Sequence, residues 1–300
     1  GAGRPEATYV VERAVDLVAR ELDLDPVDVR RKNFIPPDAF PYDPVGILKG
    51  LKYDTGDYEK TLDRALEIVG YEDFRREQEE GRKQGRYRGI GFSTYVAICG
   101  AAPPAWIGTA GEGWGASMWE SANIRVHLTG KVAVTIGTQP QGQGHATTVS
   151  QVVATELGIP IEDVTVEIGD TLNTPFGYGT YASRQAAVGA VAVYNSLQKI
   201  KAKARRIAAH MLEADADDIV FENGKAFVKG VPDNAKTIQE IAGTAALAYD
   251  LPENEEPFLD DTTYYDPPNF TFPFGTHIAV VDVDPETGEV TLERYIAVDD

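Results

Sequence analysis

Apolar residues recur at helical spacing in the opening stretch GAGRPEATYVVERAVDLVARELDLDP. Val10, Ala14, Leu17 and Val18 fall on one side of a helix, so that side is expected to be buried. Pro5 suits a first helical turn, and Glu6 there complements the positive end of the helix dipole. DPVDVRRKNFIPP reads as a second, short helix stopped by Pro36 and Pro37. DYEKTLDRALEIVGYEDFRREQEEGRKQGRYRG is a third helical region. Its charged end, Arg75 to Arg88, is expected to be exposed and to mark a boundary. Beyond it the pattern changes to alternation. GIGFSTYVAICG is strand-like, and ANIRVHLTGKVAVTIGT reads as two strands around a TGK turn. HATTVSQVVATELG is a helix ending at Gly158, DVTVEIGDT a strand, and SRQAAVGAVAVYNSLQKIKAKARRIAAHML a long helix with a basic second half. IVFENGKAFVKG is a hairpin with Asn-Gly at its turn, and GTHIAVVDVDPETGEVTLERYIAVDD is another. The whole predicts an α+β fold of mostly antiparallel strands and packed helices, with residues 1–85 helical and 86–300 mixed.

Composition narrows the function. Of the 300 residues, 43% are hydrophobic, enough for one large or two modest domains. The formal charge of -19 argues against nucleic acid and against anionic membrane surfaces, and no apolar run is long enough to span a membrane. The single cysteine, Cys99, excludes an internal disulfide and an iron–sulfur cluster carried by this chain alone. A cytoplasmic setting is therefore expected. The four histidines are scattered without metal-ligand spacing. The chain starts with Gly1 rather than Met, as expected of a processed chain or a fragment.

Two loops carry candidate chemistry. In IGTQPQGQGHATT, Gly142 and Gly144 allow a flat ligand to approach the backbone, and Gln141 and Gln143 flank the first of them. A primary amide offers acceptor and donors side by side, which suits a ring edge of alternating C=O and N–H groups, such as a pterin or a purine. The loop opens a helix whose N-terminus favours an anion. In GDTLNTPFGYGTYASR, Thr180, Tyr181 and Ser183 offer hydroxyls, and Arg184 can either grip a phosphate or pair with a carboxylate. Blander readings stand beside these. His145 is either a ligand contact or a satisfied core histidine, and Asp170 and Asn173 are turn-formers. Cys99 is a small buried hydrophobe. Trp106, Trp114 and Trp119 belong to a Gly-rich stretch that serves as a substrate lid or an interface patch.

Four segments, GAGRPEATYVVERAVDLVARELDLDPVDVRRKNFIP, GTQPQGQGHATTVSQVVATELGIPIEDV, GDTLNTPFGYGTYASR and FGTHIAVVDVDPETGEV, occur in an order and spacing that resembles the large, molybdenum-binding subunit of the xanthine oxidase family. The branch it resembles most is the aerobic carbon monoxide dehydrogenase large chain and its relatives. The resemblance runs over nearly all of the chain. It implies the family's molybdenum-cofactor-binding fold, with residues 1–85 ending the first cofactor-binding half and 86–300 opening the second. The implied ligand is molybdopterin cytosine dinucleotide. Its implied contacts are Gln141, Gly142, Gln143, Gly144 and His145, with Gly179, Thr180, Tyr181, Ala182, Ser183 and Arg184, and no side chain here ligates the metal directly.

Gly1, Ala2, Gly3 and Arg4 correspond to the active-site loop, where members that oxidise carbon monoxide carry a copper-binding cysteine. Glycine has no thiolate, so the resemblance points to a glycine-type branch. The implied reaction is hydroxylation of an aldehyde or N-heterocycle with oxygen from water. A carbon monoxide dehydrogenase fragment and a non-catalytic assembly piece are the alternatives. The family's electron path implies an iron–sulfur small subunit and a flavin (FAD) medium subunit, together with the rest of the large chain. The catalytic glutamate is expected beyond Asp300. A piece lacking it is expected to retain cofactor poorly and not to turn over alone.

Overall fold

Capping and turn residues set the element boundaries. The structure is a computed structural model that describes residues 3–44, 51–103 and 118–300. It divides into two units, Gly1–Ile98 with Thr271–Asp300, and Cys99–Phe270. These are packing units, and they are cut elsewhere than the expected cofactor-binding halves 1–85 and 86–300.

In the first unit, α1 (Arg4–Glu21) begins after Gly3, whose φ is 81°. Helix α2 (Pro26–Asn33) is capped by Asp25, which accepts from Val27 N at 2.7 Å, and it stops before the two prolines as expected. The third helical region is two helices, α3 (Tyr58–Val69) and α4 (Tyr71–Lys83), separated by a left-handed Gly70. They lie against an antiparallel sheet of β1 (Tyr87–Val96), β9 (Phe274–Val283) and β10 (Val290–Asp299), ordered β1-β9-β10. Leu62, Ala65, Val69 and Phe74 of the helices close a core with Phe92, Ile278, Val280 and Ile296 of the sheet.

One expectation fails in this unit. Val10, Ala14, Leu17 and Val18 of α1 are exposed, and only Ala19 of that helix is buried. What ties α1 down is polar: Glu12 accepts from Arg30 at 2.9 Å and from Thr94 N at 2.6 Å, and no described element covers the apolar side. The charged stretch from Arg75 to Arg88 is mostly exposed, as expected, and Gln78 and Arg88 tie it to the sheet. Gln78 donates to Arg88 O at 2.6 Å, and Arg88 pairs with Glu293 at 2.6 Å.

In the second unit, a sheet ordered β4-β3-β2-β8 is built from β2 (Glu120–Val126), β3 (Val132–Ile136), β4 (Val164–Ile168) and β8 (Leu259–Tyr265). Helices α5 (His145–Leu157) and α6 (Ala190–Leu212) pack on it through Val149, Val153, Val193, Leu197 and Ile200. A small sheet of β5 (Ile219–Glu222), β6 (Lys225–Val228) and β7 (Ala235–Thr237), with α7 (Ile238–Leu247), completes the unit. The Asn-Gly hairpin forms as expected, both turn residues having positive φ.

One pairing breaks the antiparallel rule and matters most. Strands β3 and β4 are parallel, Ile136 opposite Ile168, with α5 as the crossover. The two candidate loops therefore leave the sheet at adjacent carboxyl ends, where α/β sheets place their ligands. The long helix is also preceded by a π-turn, Gln185–Gly189, so Ser183 lies before the helix rather than in it.

Candidate functional site

The first loop folds back under glycine control. Gly142 and Gly144 have φ of 102° and 77°, values that side chains disfavour. Gly137 touches the backbone of Gly177 and the Glu120 carboxylate, leaving no room for a Cβ at either glycine. Gly179 N donates to Gly137 O at 3.2 Å, and Gln139 N donates to Thr180 Oγ1 at 3.0 Å. Gln141 Nε2 donates to Thr180 O at 3.2 Å. The two loops are thus hydrogen-bonded together, and Gln141 and Thr180 meet at their junction.

The two glutamines are also bonded to each other. Gln143 Nε2 donates to Gln141 Oε1 at 3.1 Å, and Gln141 N donates to Gln143 Oε1 at 2.7 Å. Each side chain keeps one amide N–H to offer, and both residues are exposed. His145 opens α5. Its side chain is buried, Nδ1 has no partner, and burial pushes its pKa below the ordinary histidine value. No side chain caps this helix and its first turn holds no acid, so its N-terminal N–H groups remain available to an anion.

In the second loop, Asp170 and Asn173 are the turn-formers expected. Asp170 accepts from Leu172 N at 2.8 Å and from Asn173 at 3.0 Å. Tyr181 donates to Met118 Sδ at 3.3 Å, and burial raises its pKa. Ala182 and Ser183 hold positive φ of 48° and 50°, and Gly100 N donates to the carbonyls of both. A hollow of about 340 Å³ lies between the loops, floored by Gly137, Gln139, Gly169 and Gly177.

Arg184 is bonded to acceptors within the protein. Its side chain is fully buried and committed to Glu120 Oε2 at 2.7 Å, Ala101 O at 3.0 Å, Gly179 O at 2.7 Å and Met118 O. Burial and protein acceptors hold the guanidinium in place, so of the two readings left open the structure shows carboxylate pairing. Gly1, Ala2, Trp106 and Trp114 lie outside the described residues. Gly3 and Arg4 begin α1 in the other unit.

Sequence reasoning passed over Glu120, Thr138 and Gln185. Thr138 Oγ1 is fully buried without a partner, and both ends of the Gln185 amide are buried and unpaired. They are neighbours: a Cβ on Gly189 would lie 2.7 Å from Gln185 Oε1 and 3.0 Å from Thr138 Cγ2. Both positions were within or beside the quoted motifs, in GTQPQGQG and directly after GTYASR. Such orphaned groups are uncommon in native proteins, where buried polar atoms find partners. Together with the spare amide N–H groups and the uncapped helix, they fit a polar ring system with an anionic tail. Among the described residues, no three His, Cys, Asp or Glu side chains converge to hold a metal ion. A larger hollow in the first unit, about 510 Å³, is lined mainly by apolar residues such as Val15, Val29 and Phe34 and holds none of the expected site residues.

Comparison with known proteins gives this arrangement a family. Residues 64–300 match the family described as molybdopterin cofactor-binding domain, and residues 1–34 match a second family of the same description. The carbon monoxide dehydrogenase large chain of Afipia carboxidovorans is 43% identical over 98% of this chain and 36% of its own length. The nicotine 6-hydroxylase large subunit of Paenarthrobacter nicotinovorans is 34% identical over 100% of this chain and 36% of its own. The crystal structure of a Cu,Mo-CO dehydrogenase superposes with a TM-score of 0.87 at 42% identity, covering 98% of this chain and 37% of that one. The chain thus spans about a third of the length of these relatives. Matched along nearly its whole length and built on their fold, it belongs to the molybdopterin cofactor-binding domains of the xanthine oxidase family's large subunits.

Proposed function

We propose that the chain is part of the large subunit of a molybdenum hydroxylase, and that its two loops hold molybdopterin cytosine dinucleotide. The observation that carries this reading is the amide pair Gln141–Gln143, bonded across to Thr180 where two parallel strands end side by side. When bound, the cofactor supplies oxidation of a substrate C–H bond with water as the oxygen source. The residues of this chain bind and orient it. The amides of Gln141 and Gln143 present their spare N–H groups to acceptors on the pterin edge. The hydroxyls of Thr180 and Ser183 and the uncapped N-terminus of α5 suit the pyrophosphate. His145, neutral because it is buried, can accept or donate at Nδ1 without adding charge.

The substrate we assign is an aldehyde or an N-heterocycle. Supporting this are Gly1, which has no thiolate to hold copper, and the likeness to a nicotine 6-hydroxylase large subunit. Carbon monoxide is the second reading, favoured by the 43% identity to a carbon monoxide dehydrogenase large chain. We place the electron path on iron–sulfur clusters of a small subunit and then on FAD of a medium subunit, a reading supported by the likeness to proteins named as large chains or subunits. A cytoplasmic complex is the setting that fits. Among the described residues, no helix is long and apolar enough to cross a membrane.

The test is the complex containing the full-length large subunit. Molybdenum should be near stoichiometric, acid hydrolysis should release a cytidine nucleotide, and aldehydes or nicotinate-like rings should be oxidised. Oxidation of carbon monoxide alone would select the second reading, and absence of molybdenum would overturn both.

A further inference from the structure

We propose that Glu120 and Arg184 are positioning residues whose buried pair sets the two loops in register for the cofactor. The inference rests on the cofactor reading above, but its evidence is separate from it. Both side chains are fully buried, and Arg184 Nη1 lies 2.7 Å from Glu120 Oε2. A buried ion pair gains little over well-packed apolar side chains, so stability is a poor reason for this one. What the pair supplies is direction. Arg184 donates to carbonyls from three separate segments, Ala101 O at 3.0 Å, Gly179 O at 2.7 Å, and Met118 O.

Glu120 works from the other side. It accepts from Ser121 N at 3.0 Å and from the backbone of Tyr178, and its carboxylate fills the place a Gly137 side chain would need. The pair therefore touches the root of the first loop and both ends of the 179–184 turn. Between those ends, Ala182 and Ser183 hold left-handed backbone that neither residue favours. Thr180, which meets Gln141 at 3.2 Å and Gln139 at 3.0 Å, sits in the same turn. Fixing Gly179 and Arg184 fixes Thr180, and Thr180 fixes the amide pair.

The experiment uses the full-length large subunit in its complex, carrying Glu120→Leu with Arg184→Met, or Arg184→Lys alone. Thermal unfolding is read beside molybdenum and nucleotide content and the rate of cofactor dissociation. The apolar double variant leaves the carbonyls and N–H groups the pair serves without partners, so it is expected to unfold at a lower temperature than wild type. Assayed where it is still folded, it should hold less than about a tenth of the cofactor. Arg184→Lys keeps the charge without the planar fork of donors and should release cofactor at least several-fold faster, whether or not the double variant folds. Wild-type cofactor content and dissociation in a folded double variant, or in Arg184→Lys, would overturn the proposal. A wild-type complex without molybdenum would instead remove the cofactor reading on which it stands.

Discussion

Gly137 concentrates the residue-scale demands of this site. It lies where a strand end, a carboxylate and the Gly177 backbone meet, and a methyl group there has nowhere to go. Gly137→Ala should destabilise the unit by about 1–3 kcal/mol through overpacking. Thermal unfolding checks this, and an unchanged midpoint would contradict the packing described. The residue types of the loops were readable in the sequence, including the amides, the glycines and Asp170 as a turn-former. Arg184 shows where that reading stops. Its partner Glu120 is 64 positions away, and nothing local says that a strand start will be buried beneath a loop. Thr138 and Gln185 were equally quiet, since an unpaired polar atom is visible only once its surroundings are known.

Elements were legible where their signals are local. The Asn-Gly and TGK hairpins and the Gly158 stop all rest on turn chemistry within a few residues, and each forms as expected. Helix α7 had such a signal unread. Thr237 accepts from Glu240 N at 3.2 Å, while Glu240 accepts from Thr237 N at 2.8 Å, closing a capping box. Thr237→Ala should cost about 1 kcal/mol of stability. The bonds from Thr237 hold the Glu240 carboxyl below its ordinary pKa. Its contribution is therefore present above the unfolded value of about 4.3 and is lost as pH falls through the lower folded value. Denaturant unfolding of wild type and Glu240→Gln across that range should converge on acidification, and a constant gap would refute the assignment. Helix α1 shows the opposite limit. Its periodicity marks an apolar side correctly, but periodicity does not say whether a described neighbour covers it.

At the scale of the whole molecule, the chain returns on itself in a way no local pattern announces. Residues 271–300 join the first 98, because β9 pairs with β1 along ten positions while the second unit is inserted between them. The parallel pairing of β3 with β4 is of the same kind. The sequence showed strand, loop, helix, strand, but not that the two loops would emerge side by side. That adjacency turns two glycine-rich connections into one candidate site. It is tested most directly by comparing molybdenum and cytidine nucleotide content in complexes whose full-length large subunit is wild type or carries Gln141→Ala with Gln143→Ala. These exposed side chains should change stability by only about 0.5 kcal/mol each. Near-stoichiometric cofactor is expected in the wild type and a several-fold loss in the variant, with the unfolding temperatures of the cofactor-free forms within a few degrees of each other. Equal cofactor content in the two complexes would contradict the account.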